Sequence, residues 1–149
     1  MKSFQFRLER VLALRRTQLE LEDARFRQCV AAVAAVDRAR AELDATAVAA
    51  DLDVRGAVSI AGADLAALDE FHRHVRSQEQ VLAERRAERT RELAAQEAAM
   101  LEARRRCRLL ERLRERRLAE WKEENDRELE QVATESYLSR WRSARAPRL

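Results

Sequence analysis

The sequence predicts an all-α fold: two long helices folded back on each other as an antiparallel coiled-coil hairpin, the second helix longer than the first and overhanging it. Three observations carry that reading. The 149 residues include only two glycines and one proline, and the abundant Ala, Leu, Glu and Arg are strong helix formers. Charged residues make up 38% of the chain and aromatics 5%, which confines the apolar surface to a narrow stripe flanked by ions, as in coiled coils. Both glycines fall in one short stretch, Arg55-Gly56-Ala57-Val58-Ser59-Ile60-Ala61-Gly62, the one strong break before the C-terminal tail.

Helix one is predicted over about 4–54. Positions 8, 12, 15, 19, 22, 26, 29, 33, 36, 40, 43, 47, 50 and 54 alternate spacings of three and four along one helical face. Only Arg15, Glu22 and Arg40 interrupt an otherwise apolar stripe, which suits a left-handed seam with a partner helix. The hairpin occupies about 55–63. Helix two is predicted over about 64–142, with Asp64 in its first turn favouring the helix dipole. Its stripe is weaker: Leu65, Leu68, His72, Val75, Glu79, Leu82, Arg86, Arg89, Leu93, Gln96, Met100, Ala103, Cys107, Leu110. Nothing stops this helix before about Arg142, because the sole proline is Pro147; residues 143–149 are expected to be a disordered tail. The whole chain, 1–149, is read as a single coiled-coil domain. At 1.5 Å per residue the first helix would run roughly 70–75 Å and the second roughly 115 Å.

Reversal about residue 59 sets Arg40 beside Glu79 and Glu22 beside Gln96, polar pairs that fix register more than they stabilise. The same fold-back leaves residues beyond about 115 unpaired. That overhang carries Trp121, Tyr137 and Trp141, and because an isolated helix is rarely stable in water it is expected to dock elsewhere.

The net charge of +3 is small but unevenly spread. Residues 1–54 are balanced. Arg104, Arg105, Arg106, Arg108, Arg112, Arg114, Arg116 and Arg117 are opposed only by Glu111 and Glu115 within 104–117. An acidic stretch follows, with Glu120, Glu123, Glu124, Asp126, Glu128 and Glu130 against Lys122 and Arg127, and then Arg140, Arg142, Arg145 and Arg148. The arginine cluster fits three roles: a solvated face, an arm for nucleic acid, or a strip that enters an acidic protein groove. A basic leucine zipper would need leucine heptads after the basic part, whereas an acidic stretch follows here. Trp121 and Trp141 in so polar a tail read as protein anchors or as seam filling.

Catalysis finds no inventory: no Gly-rich phosphate loop, no paired His and Cys ligands, and no loops on which to hold a reacting group. No cofactor or metal is expected. His72 and His74, two apart, face different sides of a helix. Cys29 and Cys107 lie about 18 residues out of register, some 27 Å along the axis, and are expected to be free thiols. No stretch is apolar enough to span a membrane, and Lys2, Arg7, Glu9 and Arg10 interrupt the N-terminus before any signal h-region, so the chain is expected in the cytoplasm.

The run Phe4-Gln5-Phe6-Arg7-Leu8-Glu9-Arg10-Val11-Leu12-Ala13-Leu14-Arg15-Arg16 resembles the opening of the FliJ family, a small component of bacterial flagellar type III protein export. Asp64-Leu65, Phe71, His74-Val75 and Gln78 resemble that family's start of helix two, and Leu113-Arg114-Glu115-Arg116-Arg117-Leu118-Ala119-Glu120-Trp121 its basic-then-acidic stretch. One position departs: Ala61, where a capping Ser or Thr is expected. The resemblance implies a non-enzymatic cytoplasmic rod, similar to the central stalk of rotary ATPases. Such a rod inserts into the ring of the export ATPase FliI, contacts the export gate FlhA and export chaperones, and meets the membrane's inner face only through those partners, with no nucleic acid involved. On that reading Arg104, Arg105, Arg108, Arg112, Arg114, Arg116, Arg117 and Trp121 are candidates for the ATPase contact. Phe71 and Val75 are candidates for the gate contact, with seam burial as their alternative. The related stalk of virulence secretion fits the same motifs, and a nucleic-acid-binding coiled coil is the reading from a different class.

Overall fold

A computed structural model describes residues 3–145. It has two helices, α1 (Glu9–Gly56) and α2 (Gly62–Arg145), joined by residues 57–61. Each helix opens on an acid, Glu9 or Asp64, and closes on arginine, Arg55 or Arg142 with Arg145, so both ends complement the helix dipole. No described residue has a cis peptide bond or a positive φ, the glycines included. Among the described residues no helix is long and apolar enough to cross a membrane.

The α2 start is built by an incomplete capping box. The Ala61 carbonyl accepts from the Asp64 amide at 3.0 Å, and the Asp64 carboxylate accepts from the Ala61 amide at 3.0 Å. Ala61 lacks the hydroxyl that would complete the reciprocal pair, and Asp64 supplies the other half. At the other end, α2 runs past the predicted stop to Arg145, so 143–145 are helical, and the rest of the expected disordered tail lies outside the described residues. Helix α1 begins later than predicted, at Glu9 rather than about residue 4. Residues 3–6 are not helical, and the Phe6 carbonyl accepts from the Glu9 amide at 3.0 Å.

Contacts gather the chain into two units. In Gln18–Ala103, the α1 and α2 segments run antiparallel: Glu22 meets Gln96, Asp37 meets Arg86 and Asp51 meets His72, the partner number falling as the first rises. Val36, Val75 and Met100 are its buried apolar side chains. Within this unit, every predicted seam position of α1 except Arg40 is at least half-buried, and in α2 only Leu65, Arg86 and Arg89 are exposed. Gln96 donates from Nε2 to the Glu22 backbone carbonyl at 3.2 Å and to the Glu22 carboxylate, the pairing the fold-back predicts. The predicted Arg40–Glu79 pairing is not formed. Arg86 instead reaches Asp37, Nε to Oδ1 at 2.6 Å; this pair and Asp51–His72 share one register, centred about two residues beyond the predicted reversal at residue 59. Arg89 turns to Glu92 on its own helix at 2.8 Å.

The other unit holds the described residues up to Thr17 together with those from Arg104. It too is antiparallel, with Glu9 bonded to Arg114 at 3.0 Å and Arg16 to Glu111 at 3.1 Å. Leu12 and Cys107 are its buried side chains, Leu12 with no exposure at all. The first position of the predicted α1 stripe, Leu8, is exposed.

The overhang starts later than predicted. Leu118, Trp121 and Asn125 are half-buried, and the Phe4 ring lies 6.0 Å from the Trp121 ring. The non-helical residues before α1 account for this: they carry Phe4 past the level of Arg114, where Glu9 sits, to the Trp121 ring. From residue 126 to the last described residue, every described side chain is exposed.

A candidate docking face on the second helix

The arginines of 104–117 separate into two groups. Arg114 is tied to Glu9 across the helices and Arg117 to Glu120 one turn on, at 2.8 Å. Arg104 and Arg106 are also engaged within the chain. The remaining four, Arg105, Arg108, Arg112 and Arg116, are exposed. Among the described residues none of them makes an ion pair. Their spacings of three, four and four put them on one face of α2, turned away from the seam that holds Cys107, Leu110 and Arg114. Like charges four apart on a helix repel by a few tenths of a kcal/mol per pair, and Arg108, Arg112 and Arg116 form two such pairs.

Trp121 is not a free anchor. It is half-buried against Phe4 and forms the wall between two grooves. One, of about 670 Å³, is shared with Phe6, Leu8 and Leu113; the other, of about 730 Å³, with Phe4, Asn125 and Glu128. Phe4 and Phe6 were readable only as part of a motif.

The gate candidates part company. Val75 is 4% exposed and fills the seam, so its side chain offers a partner almost nothing. Phe71 is half-buried, its ring 6.2 Å from that of His72, and it lines an apolar groove of about 490 Å³ with Val54, Ala57, Ile60 and Leu68 at the hairpin end. His72 is half-buried with Nε2 2.7 Å from Asp51 Oδ1, while His74 is exposed. Among the described residues no group of His, Cys, Asp and Glu could hold a metal ion. Cys29 and Cys107 are both free thiols; burial, with Glu111 close by, pushes the Cys107 thiol up from its ordinary value.

No family model, curated protein or solved structure matches the chain. The docking face therefore rests on geometry and charge within this molecule.

Proposed function

We propose that the chain is a non-enzymatic coupling rod of type III protein export, as its likeness to the FliJ family suggests, acting in the cytoplasm. In this reading it seats the arginine stripe of α2 against an acidic lining in the ring of the export ATPase FliI. The hairpin end, through Phe71 and its groove, turns toward the export gate FlhA and export chaperones. The observation that carries the proposal is the stripe itself: four exposed arginines on one helical face, none in an ion pair among the described residues, whereas Arg114 and Arg117 of the same cluster are paired. A face of four arginines outside any ion pair is complementary to an acidic partner, whose charge would offset their mutual repulsion. The stalk of a virulence secretion system would use the same stripe.

The test is capture of purified FliI by the chain at physiological salt, together with stimulation of the ATPase. Reversal of Arg105, Arg108, Arg112 and Arg116 to Glu is expected to weaken capture at least tenfold, since several pairs add even where each contributes little. Undiminished capture by that variant would overturn the role of the stripe. A shift of duplex DNA at low micromolar protein, with affinity falling steeply as salt rises, would favour the nucleic-acid reading instead.

A further inference from the structure

Among the described residues no helix lies beside α2 from residue 126 onward, yet this stretch is not uniformly polar. Leu129, Ala133, Tyr137 and Trp141 follow at steps of four, which places them on one slowly drifting face. Tyr137 is 70% exposed, Trp141 48% and Leu129 44%. Three charged residues stand on the same face, Asp126, Glu130 and Arg140; none is in an ion pair among the described residues. Arg145 covers part of Trp141, its guanidinium carbon 4.3 Å from the ring centroid.

This face is complementary to itself. If a second copy is laid against it antiparallel about a two-fold axis near Glu135, Leu129 falls opposite Trp141, Ala133 opposite Tyr137 and Glu130 opposite Arg140, and each pairing occurs twice. The same register that matches apolar with apolar also matches acid with base. We infer that the exposed end of α2 is a self-association surface whose partner is a second copy of this chain, paired antiparallel through Leu129, Tyr137 and Trp141 and held in register by Glu130 with Arg140 of the other copy. The area is modest. With aromatic side chains offering 150–250 Å² each, the contact would bury roughly 800 Å² in total, below the size of a standard stable interface. The dimer is accordingly weak, with a dissociation constant on the order of 10–100 µM, and forms where the chain is locally concentrated.

Sedimentation equilibrium of the full chain from about 5 to 500 µM brackets that range. A monomer–dimer equilibrium is expected, and Trp141→Ala should raise the dissociation constant about tenfold. Arg140→Glu alone places Glu against Glu, and Glu130→Arg alone places Arg against Arg, so each variant should be more monomeric than the parent. An equimolar mixture of these two single variants should dimerise as well as the parent, because both cross-pairs are then opposite in sign. A chain that stays monomeric throughout overturns the inference, as does a dimer untouched by Trp141→Ala or a mixture no heavier than its separate components. Because the mixture test compares two proteins each measured alone, a folding defect in either cannot imitate rescue.

Discussion

Leu12 is the side chain on which the N-terminal contact of α1 most depends, and its replacement tests the packing directly. It has no exposed surface, whereas Leu14, two residues on, is 56% exposed. Truncating Leu to Ala removes three carbon groups, about 0.8 kcal/mol each when fully buried. Leu12→Ala should therefore cost about 2.5 kcal/mol, near the low end of measured Leu→Ala losses, because a seam between two helices is open at its sides and can close around a gap. Leu14→Ala, with less than half of its side chain withheld from water, should cost about 1 kcal/mol, and the better helix propensity of alanine reduces that slightly. For a chain of this size each kcal/mol lowers the Tm by about 2–4 °C, so Leu12→Ala should fall about 5–10 °C and Leu14→Ala about half as far or less. Hydrogen exchange adds location: a loss of about 2.5 kcal/mol speeds exchange roughly 60-fold in amides that open with this contact. Those amides should lie in 9–17 and in the facing turns of α2 around Cys107. Equal losses for the two variants, or faster exchange spread evenly along both helices, would refute the assignment of Leu12 to a buried seam.

Three further outcomes follow from named contacts. A Cβ at Gly56 or Gly62 would meet no atom within 4 Å and neither glycine has a positive φ, so Gly56→Ala and Gly62→Ala should each raise stability by about 0.5–1 kcal/mol in urea titration; a loss would mean that the turn needs glycine. Cys107, buried and with its thiol pushed up, should react with a thiol reagent more slowly than half-buried Cys29 in the native chain and at a similar rate in urea; equal native rates would contradict the burial. The hydrogen bond from Arg86 holds the Asp37 carboxyl below its ordinary value of 3.8, with the charges of Arg86 and Arg40 acting in the same direction. A depressed acid contributes stability that is complete above the unfolded value and is lost as pH falls through the lower folded one. Asp37→Asn should thus flatten the acid limb of the stability curve below about pH 4, and an unchanged limb would show that the pair does not persist in solution.

The two-helix architecture was legible because apolar residues at alternating steps of three and four leave a chain little else to do with them. The seam positions at Val36, Val75, Met100 and Cys107 are buried as that spacing requires. Of the exposed seam positions, Leu8 and Leu65 lie near the starts of the two helices, and Arg40, Arg86 and Arg89 are arginines, whose stems let the charge leave the seam for water or for an acid on either helix. Register was legible at Glu22 and Gln96 but not at Asp37–Arg86 or Asp51–His72, which share a register about two residues beyond the predicted centre, an offset that a repetitive seam does not specify. The arginine cluster was visible as composition, but which of its members are satisfied was not. The bond from Arg117 to Glu120 follows from spacing, whereas that from Arg114 to Glu9 joins residues at opposite ends of the chain. The four-arginine stripe emerges only after those pairs are removed. The N-terminal arm was not legible for a related reason: Phe4-Gln5-Phe6 sits directly before a strong helical pattern, and its contact with Trp121 joins residues far apart in the chain.

The seat of Phe4 on Trp121 also gives the molecule two optical reporters that read different things. With only two tryptophans in the chain, the emission of Trp121 follows whether the N-terminal arm is docked, while that of Trp141, near the bare end of α2, follows whatever comes to rest there. Replacing one or the other with phenylalanine would separate the signals, so that closure of the arm and arrival of a partner could be timed independently in a single cuvette.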